Sequence, residues 1–339
     1  MPHTHEFRQV DVFATGPLTG NPVAVVHDAD DLDDAQMAAF ARWTNLSETT
    51  FLLRPTDPAA DYRLRIWTPG GELPFAGHPT LGTAHAWLEA GGTPRSADQV
   101  VQECGVGLVT VRRDGADRLA FAAPPLRRSG SVAPEDLAQI ARGLRVSVAD
   151  VEDAAWVDNG PGWVAARLRD AAAVLAVDPD LAAFADLKIG VVGTYAPEES
   201  DAAVEVRAFV PDIGVPEDPV TGSLNAGLGQ WLAGDLLPAS YVASQGTALG
   251  RRGRVHVHRD AAGDVWVGGA AVTTISGTVT LCGRRVRRQL RRRNGASVAR
   301  TCSAAPQSSS NCATTARCWR SWRIGMRSRH ARSSPVSSA

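Results

Sequence analysis

Lysine is almost missing from this chain: Lys188 is the only one in 339 residues. Cysteine is scarce too. Of five, only Cys104 and Cys282 precede residue 284, which excludes a disulfide framework and suits a reducing compartment. No run approaches about 18 consecutive apolar residues, so no membrane-spanning helix is expected. The start, MPHTHEFRQVDVF, has neither the basic opening nor the apolar stretch of a secretory signal, and a cytoplasmic location is the expectation. Nucleotide, redox, metal and nucleophile signatures are also lacking: no G-x-x-x-x-G-K-[ST], no G-x-G-x-x-G opening a helix after a strand, no C-x-x-C, H-E-x-x-H or G-x-S-x-G. His256 and His258 alternate along one strand face, which is at best two metal ligands and reads as ordinary strand. No metal and no cofactor are expected.

One absence is regional. Residues 284–339 hold fourteen Arg and no Asp or Glu, so the formal net charge of −1 joins two unlike parts. With 21 Lys and Arg against 36 Asp and Glu, residues 1–283 carry −15. The 284–339 segment also has eleven Ser, three of the five Cys and no helical or strand period, so a disordered tail is expected. Its RRVRRQLRRR stretch (284–293) can bind polyanions nonspecifically, but no reading motif stands behind it, and no specific nucleic-acid role is expected. A changed reading frame and a genuine basic tail both account for it; sequencing the locus or weighing the natural protein separates them.

What remains has the makings of a folded body. Length allows two domains of ordinary size, and 44% hydrophobic residues fit a globular protein. Alternation predicts strands at 62–68 and 204–211, and hairpins at 105–113/117–123 about Asp114-Gly115 and at 254–258 into DVWVGG. Helices are predicted over 31–44 and from Pro134. TLGTAHAWLEAGG (80–92) and SLNAGLGQWLAGD (223–235) are small-residue-rich and apolar nearly all round, as buried helices are. Each carries a Trp-Leu pair, and a shift of 144 positions superposes Trp87-Leu88 on Trp231-Leu232, which suggests two similar halves. The period-free stretch 124–133 reads as the linker between them.

ELPFAGHPTLG precedes the first buried helix and PEDPVTGS the second. Helix N-termini expose unpaired N–H groups that bind anions. Two facing each other would hold a small acid, with His78, Asp218 and Ser223 placed for proton chemistry. The same residues also read as ordinary helix caps, with His78 a satisfied buried histidine. Glu48, in NLSETTF, sits between a helix end and an apolar strand. Burial there would raise its pKa toward the acid/base range, whereas a surface position would leave it unremarkable.

FATGPLTGNPVAVV (13–26), NLSETTF (45–51), RIWTPGGELPFAGHPTLG (65–82) and PEDPVTGSLNAG (216–227) together resemble the phenazine-biosynthesis PhzF-like isomerase family, over residues 7–283 and in the family's order. The resemblance implies an α/β (α+β) diaminopimelate-epimerase-like fold: two pseudo-symmetric halves, each a curved, mostly antiparallel sheet wrapped around a central helix. Residues 1–123 would form the first half, completed by strand 270–283, and 134–269 the second. It further implies a homodimer, no cofactor and a site between the halves, with Glu48 as general acid/base beside His78, Asp218 and Ser223. Gly77, Pro79, Thr221 and Gly222 would line the substrate, a small carboxylate-bearing metabolite. The cysteine pair that diaminopimelate epimerase carries at these helix starts is replaced here by GHP and TGS. The activity implied is isomerisation of the trans-2,3-dihydro-3-hydroxyanthranilate type. An epimerase using Glu48 and Asp218 as opposed bases, or a non-catalytic binding protein, are the other readings.

Overall fold

The computed structural model describes residues 2–115, 117–211 and 215–282. The segment 284–339 expected to be disordered lies outside the described residues. The first half carries β1 (Pro2–Val12), β2 (Asn21–Val26), α1 (Asp34–Thr44), β3 (Glu48–Leu53), β4 (Tyr62–Thr68), β5 (Gly71–Leu73), α2 (Gly77–Glu89), β6 (Gln99–Cys104), β7 (Gly107–Asp114) and β8 (Arg118–Ala122). The second continues with β9 (Arg128–Ser131), α3 (Pro134–Leu144), β10 (Val151–Asp158), β11 (Trp163–Leu168), α4 (Ala171–Ala176), β12 (Lys188–Thr194), β13 (Val204–Val210), β14 (Val215–Asp218), α5 (Gly222–Leu232), β15 (Ser240–Gln245), β16 (Gly253–Arg259) and β17 (Val265–Cys282).

Strand pairing wraps a sheet around α2. β1 pairs antiparallel with β2, β2 parallel with β3, β3 antiparallel with β4, β4 parallel with β6, then β6, β7 and β8 follow as a meander. β17 closes the ring: its 266–270 part lies against β8 and its 271–282 part against β1. The same succession recurs around α5. β10–β11 is antiparallel, β11–β12 parallel, β12–β13 antiparallel, β13–β15 parallel, and β15, β16 and β17 end it as a meander. β17 thus belongs to both sheets.

The repeat reaches individual side chains. Arg65 grips Glu72 with Nε and Nη2, and Arg207 grips Glu217 with the same two atoms. Both guanidiniums also lie over the aromatic ring two residues on, Trp67 and Phe209. Gln102 on β6 reaches Thr80, the fourth residue of α2; Gln245 on β15 reaches Asn225, the fourth of α5. Glycines sit at equal places in the two helices because the sheets come so close. A methyl on Gly82 would lie 2.4 Å from the Val23 side chain, and one on Gly227 2.4 Å from the Val157 carbonyl oxygen.

One apolar core runs through both rings, with Leu81 and Ala84 of α2, Leu224 and Leu228 of α5, and Phe121 and Val157 from the sheets. Outside the first ring, α1 buries Met37 and Phe40 against Val26, Phe51 and Trp67. Outside the second, Ile140, Leu144 and Val174 cover Trp156, Ile189 and Phe209. α1 begins at Asp34, with Asp33 and Gln36 forming a reciprocal capping box, and ends at Asn45 in the left-handed conformation. The stretch expected to be a plain linker instead holds β9, paired with β10 through its backbone. Its four residues are all exposed, so no apolar alternation marks it. No helix among the described residues is long and apolar enough to cross a membrane.

Candidate active site

The N-termini of the two central helices meet. A methyl on Gly77 would stand 3.3 Å from the Gly222 Cα, with the Phe121 ring directly beneath at 2.6 Å. Neither helix carries a side-chain cap. The cap position of α2 is Ala76, and that of α5 is Thr221, whose hydroxyl donates to Asp218 Oδ2 at 2.5 Å instead. The helix starts, at the positive ends of two helix dipoles, thus have no capping side chain among the described residues.

This settles against the capping alternative. Asp218 ends β14 and Ser223 is already the second residue of α5; its Oγ accepts the indole N–H of Trp163 at 2.9 Å, while Asn159 donates to its carbonyl at 2.8 Å. His78 is only half satisfied. It is the second residue of α2, 4% exposed; its Nδ1 lies 3.4 Å from Asn21 Nδ2, while its Nε2 has no hydrogen-bond partner among the described residues. Glu48 Oε2 stands 3.3 Å from it, itself buried and without a hydrogen-bond partner among the described residues. Glu48 opens β3, its side chain 13% exposed. Gly77, Pro79, Thr221 and Gly222 are all at the two helix starts, and Thr221 also receives Gln245 Nε2 at 3.0 Å and donates its N–H to Gln245 Oε1.

Burial dominates the electrostatics. It raises the Glu48 carboxyl well above its ordinary range, and the nearby charge of Asp218 pushes the same way. Burial also raises Asp218, but two hydrogen bonds to its carboxylate, from Thr221 and Asn21, hold it back. His78 is pushed down to about 3 by burial, so the imidazole is neutral. Two carboxyls of unequal proton affinity beside an uncharged imidazole can take a proton from carbon and give it back.

Asn21, absent from the sequence-based candidates, is fully buried and ties these parts together: Nδ2 donates to Asp218 Oδ1 at 2.8 Å and to the Val220 carbonyl at 2.9 Å, and Oδ1 accepts from Ser47 at 3.3 Å. Its only sequence signal is an amide at the start of an otherwise apolar strand. A surface hollow of about 450 Å³ beside Thr56, Glu103 and Cys104 includes none of these groups, and chemistry rather than volume marks the site. Among the described residues, no three His, Cys, Asp or Glu side chains are grouped to hold a metal ion.

Two sheet-wrapped helices whose N-termini meet beside buried Glu48, His78 and Asp218 make an arrangement suited to acid/base chemistry. Residues 10–277 match the family described as phenazine biosynthesis-like protein, and the chain belongs to that family. It is an isomerase. A relative in Pseudomonas aeruginosa, trans-2,3-dihydro-3-hydroxyanthranilate isomerase, is 36% identical over 77% of this chain and 92% of its own length. A Schizosaccharomyces pombe protein named antisense-enhancing sequence 1 is 37% identical over 80% of this chain and 98% of its own. The fold is shared with the Bacillus anthracis PhzF-family structure, at a TM-score of 0.71, 22% identity, and coverage of 82% of this chain and 99% of that one.

Proposed function

We propose that the chain is a cofactor-independent isomerase that moves a proton between carbons of a small carboxylate-bearing metabolite, with Glu48 as the general acid/base. The observation that carries this is a buried carboxyl with one unpartnered oxygen, set beside neutral His78 where two uncapped helices meet. The substrate carboxylate would lie on the helix N–H groups near Gly77 and Gly222, where glycine lets the backbone approach, with Pro79 and Thr221 lining the contact. Ionised Glu48 would remove a proton from an adjacent carbon, the negative charge would spread through the conjugated system, and Glu48 would return the proton to a second carbon. Bond order shifts, and no atom or electron is gained or lost. Asp218, Ser223 and neutral His78 would hydrogen-bond the intermediate.

The pseudo-symmetry disfavours a two-base racemase. By strand register, the counterpart of Glu48 in the second half is Lys188, and the counterpart of Asp218 in the first is Leu73. The working form is taken to be a cytoplasmic homodimer with its site between halves 1–123 (plus 270–283) and 134–269. The test uses trans-2,3-dihydro-3-hydroxyanthranilate in deuterated water. Wild type should exchange a carbon-bound hydrogen and change the ultraviolet spectrum, while Glu48→Gln binds but does neither. Full exchange by the variant removes Glu48 from the role; loss of optical rotation at constant absorbance would favour epimerisation instead.

A further inference from the structure

The orientation of the Asn21 amide has a consequence for His78. Two oxygen acceptors, Asp218 Oδ1 and the Val220 carbonyl, stand 2.8 and 2.9 Å from one end of the amide, so that end is the NH2 group and both its protons are committed. The other end accepts from Ser47. A third neighbour of the NH2 group is His78 Nδ1, at 3.4 Å. An amide nitrogen has no lone pair to offer, so a proton on Nδ1 would point at two N–H bonds and find no acceptor among the described residues. A bare Nδ1 faces the same hydrogens favourably. Neutral His78 then carries its proton on Nε2, which looks at Glu48 Oε2 across 3.3 Å.

We propose that Asn21 is a positioning residue that fixes His78 as the Nε2–H tautomer, so that Glu48 Oε2 is held as an acceptor and Oε1 is the oxygen that exchanges a proton with substrate. The geometry supports this division of labour. Glu48 Oε2 is buried, so the exposure of that side chain lies on its other atoms. The pair is not aligned as a formed hydrogen bond here, as is common for catalytic contacts before ligand binds. Asn21 also bridges the halves: it stands on β2 and grips Asp218 at the end of β14, so the tautomer is set only when the second half is in place.

The test reads the proton directly. Long-range proton–nitrogen spectra of protein labelled with 15N-histidine, with His78 assigned by its loss in His78→Gln, should show a bare Nδ1 and a protonated Nε2. Asn21→Asp keeps the shape and, with the two facing carboxyls sharing one proton that is donated to Asp218 Oδ1, leaves an oxygen lone pair toward Nδ1, so it should move His78 to the Nδ1–H form. On trans-2,3-dihydro-3-hydroxyanthranilate the same variant should lose at least about tenfold in kcat with little change in KM. A wild-type spectrum with the proton on Nδ1, or an unchanged tautomer in folded Asn21→Asp, overturns the inference. Should Asn21→Asp fail to fold, the wild-type spectrum decides alone. The tautomer is measured without turnover, so a failure of the proposed activity on this compound is read separately.

Discussion

Burying Glu48 has a thermodynamic signature that needs no substrate. Its carboxyl is pushed up from an ordinary 4.5 to about 8, chiefly by burial and then by Asp218. The folded chain therefore keeps a proton that the unfolded chain has released, and folding is penalised over the interval between the two values. The sign is fixed: below about pH 4.5 both states hold the proton and there is no penalty, and the penalty grows as pH rises toward 8. At pH 7 the linkage comes to about 3 kcal/mol. A side chain 13% exposed and sharing charge with Asp218 realises less, about 2 kcal/mol. Glu48→Gln preserves shape and removes the ionisation. The variant should melt within about a degree of wild type at pH 5 and about 4–6 °C higher at pH 8. Melting curves followed by circular dichroism across that range test it. A gap independent of pH, or a wild type more stable at pH 8, would refute the claim that Glu48 is buried with a raised pKa.

Two further outcomes rest on packing and charge. Gly77→Ala drives a methyl to 2.6 Å from the Phe121 ring and should destabilise by about 2 kcal/mol in urea titrations, while Gly222→Ala, whose nearest atoms are 3.3 Å away, should lose less; the reverse order contradicts the helix-end geometry. The two equivalent Arg–Glu forks should differ in the same assay. Arg207→Ala leaves Glu217, 11% exposed, without its partner and should cost about 3–5 kcal/mol, whereas Arg65→Ala, beside a Glu72 that is 38% exposed, should cost about 1 kcal/mol; equal losses would show that burial does not set the strength of these pairs.

The central helices were legible because burial on every face leaves them no polar stripe; the Trp-Leu match at a shift of 144 pointed to two halves but is one residue out of the helices' own register, in which Gly77 and Gly82 stand with Gly222 and Gly227, 145 positions apart. The depth of the repeat was not. The spacing between equivalent residues drifts from 142 (Arg65 to Arg207) through 145 (Gly77 to Gly222) to 143 (Gln102 to Gln245), so a single shift can match only one stretch at a time. Strand β6 escaped alternation because Gln102 occupies a fully buried position, where it bonds Thr80 and Tyr62. At the site, residue type alone left Ser223 and Asp218 indistinguishable from caps. Only their partners, Trp163, Thr221 and Asn21, show that the caps have been given up.

That surrender follows from how the two halves have diverged. The scaffold features are duplicated: the Arg–Glu fork, the close-packing glycines, the Gln that secures the first turn of each helix. The chemical positions are not. Glu48 stands opposite Lys188 in the repeat, Asp218 opposite Leu73, and His78 opposite Ser223, so each half contributes what the other lacks. A symmetric pair of bases would suit inversion at one centre, with a proton removed on one face and delivered on the other. One strong acid/base beside a neutral imidazole suits removal and return by the same group. The repeat brings two helix starts together, and its asymmetry leaves Glu48 without a counterpart carboxyl in the other half, the feature on which the proposed single-carrier isomerisation rests.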